Sequence, residues 1–342
     1  MNRKNFLSTS AALIAGSLIP AKEAIAATEI KKDSFIIPAY LKQGDIIGIT
    51  SPAGTIKPEE LKPAISLIEG WGYQVRIGQT IGKKDNSFGG TDEERREDLQ
   101  MMLDDADYKA ILCARGGYGA VRIVDSLDWK GFKKRPKWVI GFSDITVLLN
   151  HIHTECGVAA IHSKMCNSFP DDWSKAEQIQ IDTILSIKDA LEGKPMKYTA
   201  VANAHNVPGT ATGVLVGGNL KTIESLAGTP SDINTKDKIL FVEDTGEYLY
   251  SIDRMFWNLK RTGKLERLKG LIIGGFKVKP DDPGEEFGRT VEDIVLEKVK
   301  GFNYPICFDF PVGHQRPNFA LKCGAKHQLI VSDAGSTLTE VR

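Results

Sequence analysis

KWVIGFSDIT, Lys137–Thr146, is the stretch on which the fold of this chain turns. Trp138-Val139-Ile140 is a run of bulky apolar residues of buried-strand type, and Gly141-Phe142-Ser143-Asp144 interrupts it with turn residues. A helical pattern opens at Ile145-Thr146. A serine on a sharp strand-to-helix turn stands at the end of a sheet, beside the unpaired N–H groups of the next helix. Those donors can hold an anion, which gives a nucleophile there an oxyanion site. The same residues equally suit an Asp or Ser N-cap of an ordinary helix. What the rest of the chain brings to Ser143 decides between the two.

Outward from this stretch, strands and helices alternate. Strands are predicted over Asp45–Thr50, Tyr73–Ile77 and Ala110–Ala114, and helices over Pro58–Trp71, Asp92 to about Asp105 (with Thr91 as N-cap), Val121–Leu127 and Ile145–Cys156. Such alternation calls for an α/β fold with a mostly parallel sheet covered on both faces. Residues 40–166 form this N-terminal α/β domain, and residues 167–206, with one helix near Ala176–Glu192 and a polar stretch from Gly193, read as a connecting segment. A smaller C-terminal α/β domain follows over 207–342. Its strands are expected at Gly213–Val216, Lys238–Val242, Leu271–Ile273 and Ile306–Phe308, its helices at Tyr250–Arg261 and Thr290–Val299, and a closing hairpin at Gln328–Val331 and Thr337–Val341.

At 342 residues, 42% hydrophobic and 26% charged, the chain has the composition of a globular protein large enough for two cores. The 44 basic and 44 acidic side chains balance, and without a basic stripe nucleic acid is not an expected partner. The first 27 residues differ: Arg3-Lys4, an apolar run over Phe6–Pro20, then Ala24-Ile25-Ala26. That is the pattern of a secretory signal, cleaved to leave a periplasmic protein without stable membrane insertion, by a general or a twin-arginine route. An uncleaved anchor is the alternative. The five cysteines have no metal-like spacing, so neither a metal site nor any other cofactor is expected, although export would permit a disulfide.

Candidate catalytic groups fall at the C-terminal ends of predicted strands, where open α/β sheets place ligands. Ser143 follows one strand, Glu243 follows Lys-Ile-Leu-Phe-Val, and His314 follows the Ile306–Phe308 segment. A serine needs a base, which histidine supplies near neutral pH, and the histidine needs a carboxylate to fix its tautomer. His314 suits the base best, with His162 also within reach of a site. Asp244 and Glu247 compete with Glu243. The run Arg115-Gly116-Gly117-Tyr118-Gly119 lacks the spacing of a P-loop or a dinucleotide fingerprint. Its glycines instead allow backbone N–H groups to approach Ser143.

At these residues the chain resembles the LD-carboxypeptidase family, the muramoyl-tetrapeptide carboxypeptidases, which also includes the microcin C self-immunity hydrolases. The resemblance spans about Tyr40–Val331 and rests on six blocks in order. These are SPAG at Ser51–Gly54, ARGGYGAVR at Ala114–Arg122, GFSDIT at Gly141–Thr146, GGNL at Gly217–Leu220, ILFVED at Ile239–Asp244 and GHQRPNFALKCGA at Gly313–Ala325. It implies two α/β domains with the active site between them and a Ser-His-Glu triad at Ser143, His314 and Glu243. It also implies oxyanion donors at the backbone of Gly117 and Asp144, and a homodimer. The implied reaction removes terminal D-alanine from a murein tetrapeptide. The two alternatives are cleavage of another amide, such as an aminoacyl-nucleotide conjugate, and non-catalytic muropeptide binding. Arg122, Lys164 and Arg316 are candidates for holding the substrate carboxylate. Two departures stand out: Ser163-Lys164 replaces the family's Gly-Pro, and Lys322 stands where proline is common and is expected to affect only a local turn.

Overall fold

The computed structural model describes residues 35–341; the predicted signal segment lies outside them. These residues fold around two sheets.

In the first sheet, β1 (Ile46–Thr50), β2 (Gln74–Ile77), β3 (Tyr108–Cys113), β4 (Trp138–Gly141) and β5 (Ala160–His162) are all parallel, in the order β5-β4-β3-β1-β2. Because side chains alternate along a strand, each strand feeds two cores. Ala110, Leu112, Trp138 and Ile140 pack under α1 (Lys62–Gly70) and the later helix Gln178–Leu191. Ile111, Cys113 and Val139 pack on the other side under α2 (Asp92–Asp104), α3 (Ala120–Ile123), α4 (Lys130–Lys134) and α5 (Thr146–His151). The expected doubly covered parallel sheet is therefore observed. Thr91 caps α2, its side chain accepting from the Glu94 N–H while Glu94 reaches back to the Thr91 N–H.

The helix Gln178–Leu191, α6, leads to β6 (Lys197–Ala200), inside the stretch expected to be polar loop. β6 is the edge strand of the second sheet, whose order is β10-β9-β8-β7-β12-β13-β6. β7 (Gly209–Asn219), β8 (Ile239–Thr245), β9 (Gly270–Lys277) and β10 (Ile306–Cys307) are parallel, while β12 (Lys326–Ser332) and β13 (Gly335–Glu340) form the predicted hairpin, antiparallel to β7. Leu240, Val242, Leu271 and Ile273 pack against α7 (Leu220–Ser225), α8 (Leu249–Arg261) and α9 (Val291–Val299). Ile239, Phe241 and Ile272 face the opposite way, onto Phe310, Val312, Leu321 and Leu329.

Two further elements depart from the sequence reading. Gly217-Gly218 lie inside β7 rather than after it, so that strand reaches Asn219. A short strand, β11 (Leu321–Cys323), pairs antiparallel with β5, so a segment from late in the chain completes the first sheet. Lys322 sits in that strand rather than in a turn. It is fully buried, bonded to Glu340 on β13 at 2.9 Å and lying over the Tyr40 ring, so it ties β11 to the second sheet. All five cysteines are free thiols. Among the described residues no helix is long and apolar enough to cross a membrane.

Candidate active site

The nucleophile candidate owes its position to backbone strain. β4 ends at Gly141, and Ser143 adopts a left-handed conformation, φ +61°, in a 3-10 turn over Ser143–Ile145 that leads into α5. A non-glycine residue there is uncommon, and such strain gathers at functional turns. The following helix is shorter than expected, six residues of α5 and then a π-turn to Cys156. The N–H groups beside Ser143 therefore come from the tight turn itself.

The glycine run presses against this turn. A side chain at Gly116 would come 3.1 Å from the Ser143 Cβ. The Asp144 carboxylate accepts the Ala120 N–H at 2.8 Å, so Asp144 caps the neighbouring helix α3 rather than its own. Burial raises its carboxyl to about 6 despite that bond. Arg95, fully buried on α2, donates to the carbonyls of Pro52 (2.6 Å) and Gly119 (2.8 Å) and pairs with Asp92. It thereby joins the SPAG loop to the glycine loop. No sequence pattern marked Arg95, because a charged residue on a helix otherwise reads as solvent-facing.

The other half comes from the second sheet. Glu243 lies within β8, opposite an irregularity where Gly274 and Gly275 of β9 stand against it. Such bulges re-aim side chains next to sites. Glu243 is fully buried and its Oε2 is 2.6 Å from His314 Nδ1. His314 Nε2 is 3.1 Å from Ser143 Oγ. With Nδ1–H donating to the carboxylate, Nε2 is left to accept from the serine hydroxyl. Gly313 has φ +105°, and a Cβ on it would meet the Glu243 Cβ at 2.5 Å. Only glycine lets the His314 loop pass this close to the carboxylate. The loop is further held by the Gly275 N–H donating to the Val312 carbonyl at 2.9 Å and the Gly313 N–H donating to Asn318 Oδ1 at 2.8 Å.

A cavity of about 390 Å³ opens at Ser143, between Gly117, Tyr118 and Asp144 on one side and Asn219, Lys221, Asp244 and Glu247 on the other. The Asn219 N–H donates to Thr146 Oγ1 at 3.1 Å, linking the two walls. Asp244, the competitor of Glu243, is committed elsewhere: its carboxylate accepts from the Thr245 and Lys221 N–H groups and from Asn219. Glu247 accepts from Ser251.

Of the three cationic candidates, Arg122 is held by Asp92 in an exposed ion pair and Arg316 pairs with Glu177. Lys164 is half-buried, donates to the Gln315 carbonyl at 2.9 Å and lies over Phe142, whose ring is 4.9 Å from that of His314. Burial lowers the Lys164 pKa, while the charge of Glu243 raises it. His162 is fully buried beside the site. His151 and His153 are buried in the α5 region, and His327 is buried in β12.

Known proteins share the sequence pattern and the fold of this chain. Residues 47–163 match the LD-carboxypeptidase N-terminal domain and residues 212–329 the LD-carboxypeptidase C-terminal domain, both of the S66 peptidases. The chain is 34% identical over 295 residues to the probable murein peptide carboxypeptidase of Bacillus subtilis, covering 84% of this chain and 90% of that one. It is 29% identical over 283 residues to the murein tetrapeptide carboxypeptidase of Pseudomonas aeruginosa, covering 81% and 91%. The crystal structure of muramoyltetrapeptide carboxypeptidase from Oxalobacter formigenes superposes with a TM-score of 0.77 at 26% identity, covering 87% of this chain and 99% of that one. The two matched domains, read with these relatives, show that this chain belongs to the LD-carboxypeptidase family and is a serine-type carboxypeptidase.

Proposed function

We propose that this enzyme releases the terminal D-alanine of murein tetrapeptides, leaving tripeptides, by acyl transfer through Ser143, His314 and Glu243. The observation that carries it is the unbroken line from Glu243 Oε2 through His314 to Ser143 Oγ, with contacts of 2.6 and 3.1 Å, at the mouth of a cavity. His314 takes the Ser143 proton as Oγ attacks the carbonyl preceding D-alanine. The backbone N–H groups of Gly117 and Asp144 receive the oxyanion. His314 then protonates the leaving amine, and water, activated by the same imidazole, hydrolyses the acyl-enzyme. Glu243 holds the tautomer and stabilises the imidazolium.

Lys164 is our choice for the terminal carboxylate, since Arg122 and Arg316 already serve Asp92 and Glu177. We further propose that the chain acts as a homodimer outside the cytoplasm, on the strength of its N-terminal segment and the family resemblance. Light scattering and cell fractionation test these two points.

Mass spectrometry of murein tetrapeptide after incubation is the primary test. Ser143→Ala is expected to lower kcat by roughly 10⁴- to 10⁶-fold, and release of D-alanine at near the wild-type rate would remove Ser143 from its role. An aminoacyl-nucleotide conjugate incubated in parallel gives the discriminating arm: cleavage of the conjugate alone would replace murein peptide as the substrate. Binding of tetrapeptide without turnover and without labelling by a phosphonate would mark a binding protein.

A further inference from the structure

A second, buried histidine lies behind the Ser143–His314–Glu243 line, and the reaction as written makes no use of it. His162 ends β5, in register with Gly141 of β4 and opposite Leu321 of β11. Its ring stands edge-on to Phe142 at 5.8 Å and to Phe241 at 5.0 Å. Phe142 precedes Ser143 and also packs on His314. Phe241 lies two residues before Glu243 on β8, so the two side chains leave the strand on the same face. The His162 imidazole thus touches the flanks of all three reacting groups.

Its polar atoms have complementary neighbours. Neither ring nitrogen has a hydrogen bond of ordinary geometry, and the same holds for Glu243 Oε1 and Asn318 Nδ2, all of them buried. Buried atoms of this kind are few in native proteins, and a group of them in one place calls for a role. Glu243 and Asn318 are both near enough to the His162 ring to act on its proton affinity. Asn318 Oδ1 already accepts the Gly313 N–H, and Gly313 lies hard against Glu243. Glu243 Oε2 is taken by His314, so Oε1 is the oxygen open to an inner partner. Burial pushes the His162 pKa down to about 4, so the ring is neutral at working pH. A neutral imidazole carries one donor and one acceptor. Glu243 Oε1 needs a donor, and Asn318 Nδ2 needs an acceptor.

We propose that His162 is a positioning residue: its N–H serves Glu243 Oε1 and its bare nitrogen accepts from Asn318 Nδ2. The carboxylate is thereby held from behind while its outer oxygen orients His314. Asn318 extends the same support to the Gly313–His314 loop. An apolar ring would fill the space equally well but would leave the carboxylate free to rotate. The proposal rests on Ser143, His314 and Glu243 being the reacting set.

The test uses His162→Phe, which keeps a ring and removes both polar atoms, and His162→Gln, which restores a donor and an acceptor. Thermal melting followed by circular dichroism establishes folding. Three readouts follow: kcat and KM on murein tetrapeptide, the rate of Ser143 inactivation by a serine-directed phosphonate, and the proton resonance of His314 Nδ1–H. In folded His162→Phe, kcat is expected to fall about tenfold to a hundredfold with KM within about twofold, as for a slight misplacement of a reacting group. Phosphonate inactivation slows in parallel, and the deshielded His314 proton moves upfield or is lost to exchange. His162→Gln recovers most of each. A folded His162→Phe with wild-type kcat and an unmoved resonance overturns the proposal. Should His162→Phe not fold, Asn318→Ser withdraws the amide from the far side of the ring, and an unmoved His314 resonance there overturns it as well. The resonance and the phosphonate need no murein peptide, so an inert tetrapeptide would sink the substrate reading and leave this one standing.

Discussion

The two halves of the candidate active site are built by opposite means. On the Ser143 side the decisive features are local: a buried strand, a left-handed serine and a tight turn within a few consecutive residues. On the His314 side they are long-range: a glycine on the base loop, a glycine pair on β9 and a carboxylate on β8 come together from three separate segments. A local device tolerates changes elsewhere, because its geometry is set by its own turn. A device assembled from distant backbones fails when any one of them is pushed aside.

Glu243→Gln tests the assembled half most severely. It preserves shape and removes the charge, so kcat should fall about 10⁴-fold while the melting temperature stays close to wild type. A loss below about tenfold would mean that the carboxylate does not orient His314. Gly313→Ala comes next. The added methyl would overlap Glu243, and loop displacement should cost about a hundredfold in kcat. Gly228→Ala is the control, with φ +79° and nothing within 4 Å of the added carbon. It should lose about 1 to 2 kcal/mol of stability from backbone strain alone and leave kcat unchanged. Equal kinetic effects in the two variants would deny the close-approach argument.

Acid titration sets the two kinds of buried group against each other. His153, His162 and His327 have pKa values pushed down by burial to about 4, so the folded state disfavours their protonated forms. Their contribution is present above about pH 6.5 and is lost as pH falls toward 4. Asp144 and Asp244 have carboxyls raised to about 6, so the folded state takes up protons there and gains stability over the same fall. Burial lowers the His151 pKa as well, so four histidines oppose two carboxyls, and urea denaturation should show a net loss between pH 6.5 and 4. In a folded His327→Gln variant the loss should shrink; an unchanged slope would remove that histidine from the account. The smallest effect is expected at Arg122→Ala. Its ion pair with Asp92 is exposed, so stability should hardly change, and kcat/KM should hold within about twofold. A large rise in KM would instead make Arg122 a substrate contact and displace Lys164.

The same contrast explains what was legible in the sequence. The parallel sheet could be read because its strands are short apolar runs bounded by turn residues, as at Ala110–Ala114 and Trp138–Ile140. Chemistry and strand-end position made Ser143 and His314 candidates, the family resemblance separated Glu243 from Asp244 and Glu247, and the structure brings the three into contact. Hidden from sequence were β11 and β6, because strands of three and four residues carry too little pattern of their own and exist only through their partners. Arg95 was hidden because its worth lies in two carbonyls on other loops. Gly274-Gly275 gave a usable signal: a glycine pair closing a buried strand marks a place where another backbone comes close. Arg122 and Arg316 carry the right charge for a carboxylate, but pattern could not show that Asp92 and Glu177 already occupy them.

One further consequence follows from β11. Because Leu321–Cys323 complete the first sheet beside His162, that sheet cannot reach its full width until residue 323 has left the ribosome. His314 lies just ahead of β11, so of the three proposed catalytic side chains the serine is synthesised first and the histidine last. On the proposed mechanism, a growing chain that stops short of residue 314 holds the serine without its base, and activity waits for the His314 loop. If those three residues react as proposed, the order of synthesis itself keeps an unfinished chain silent.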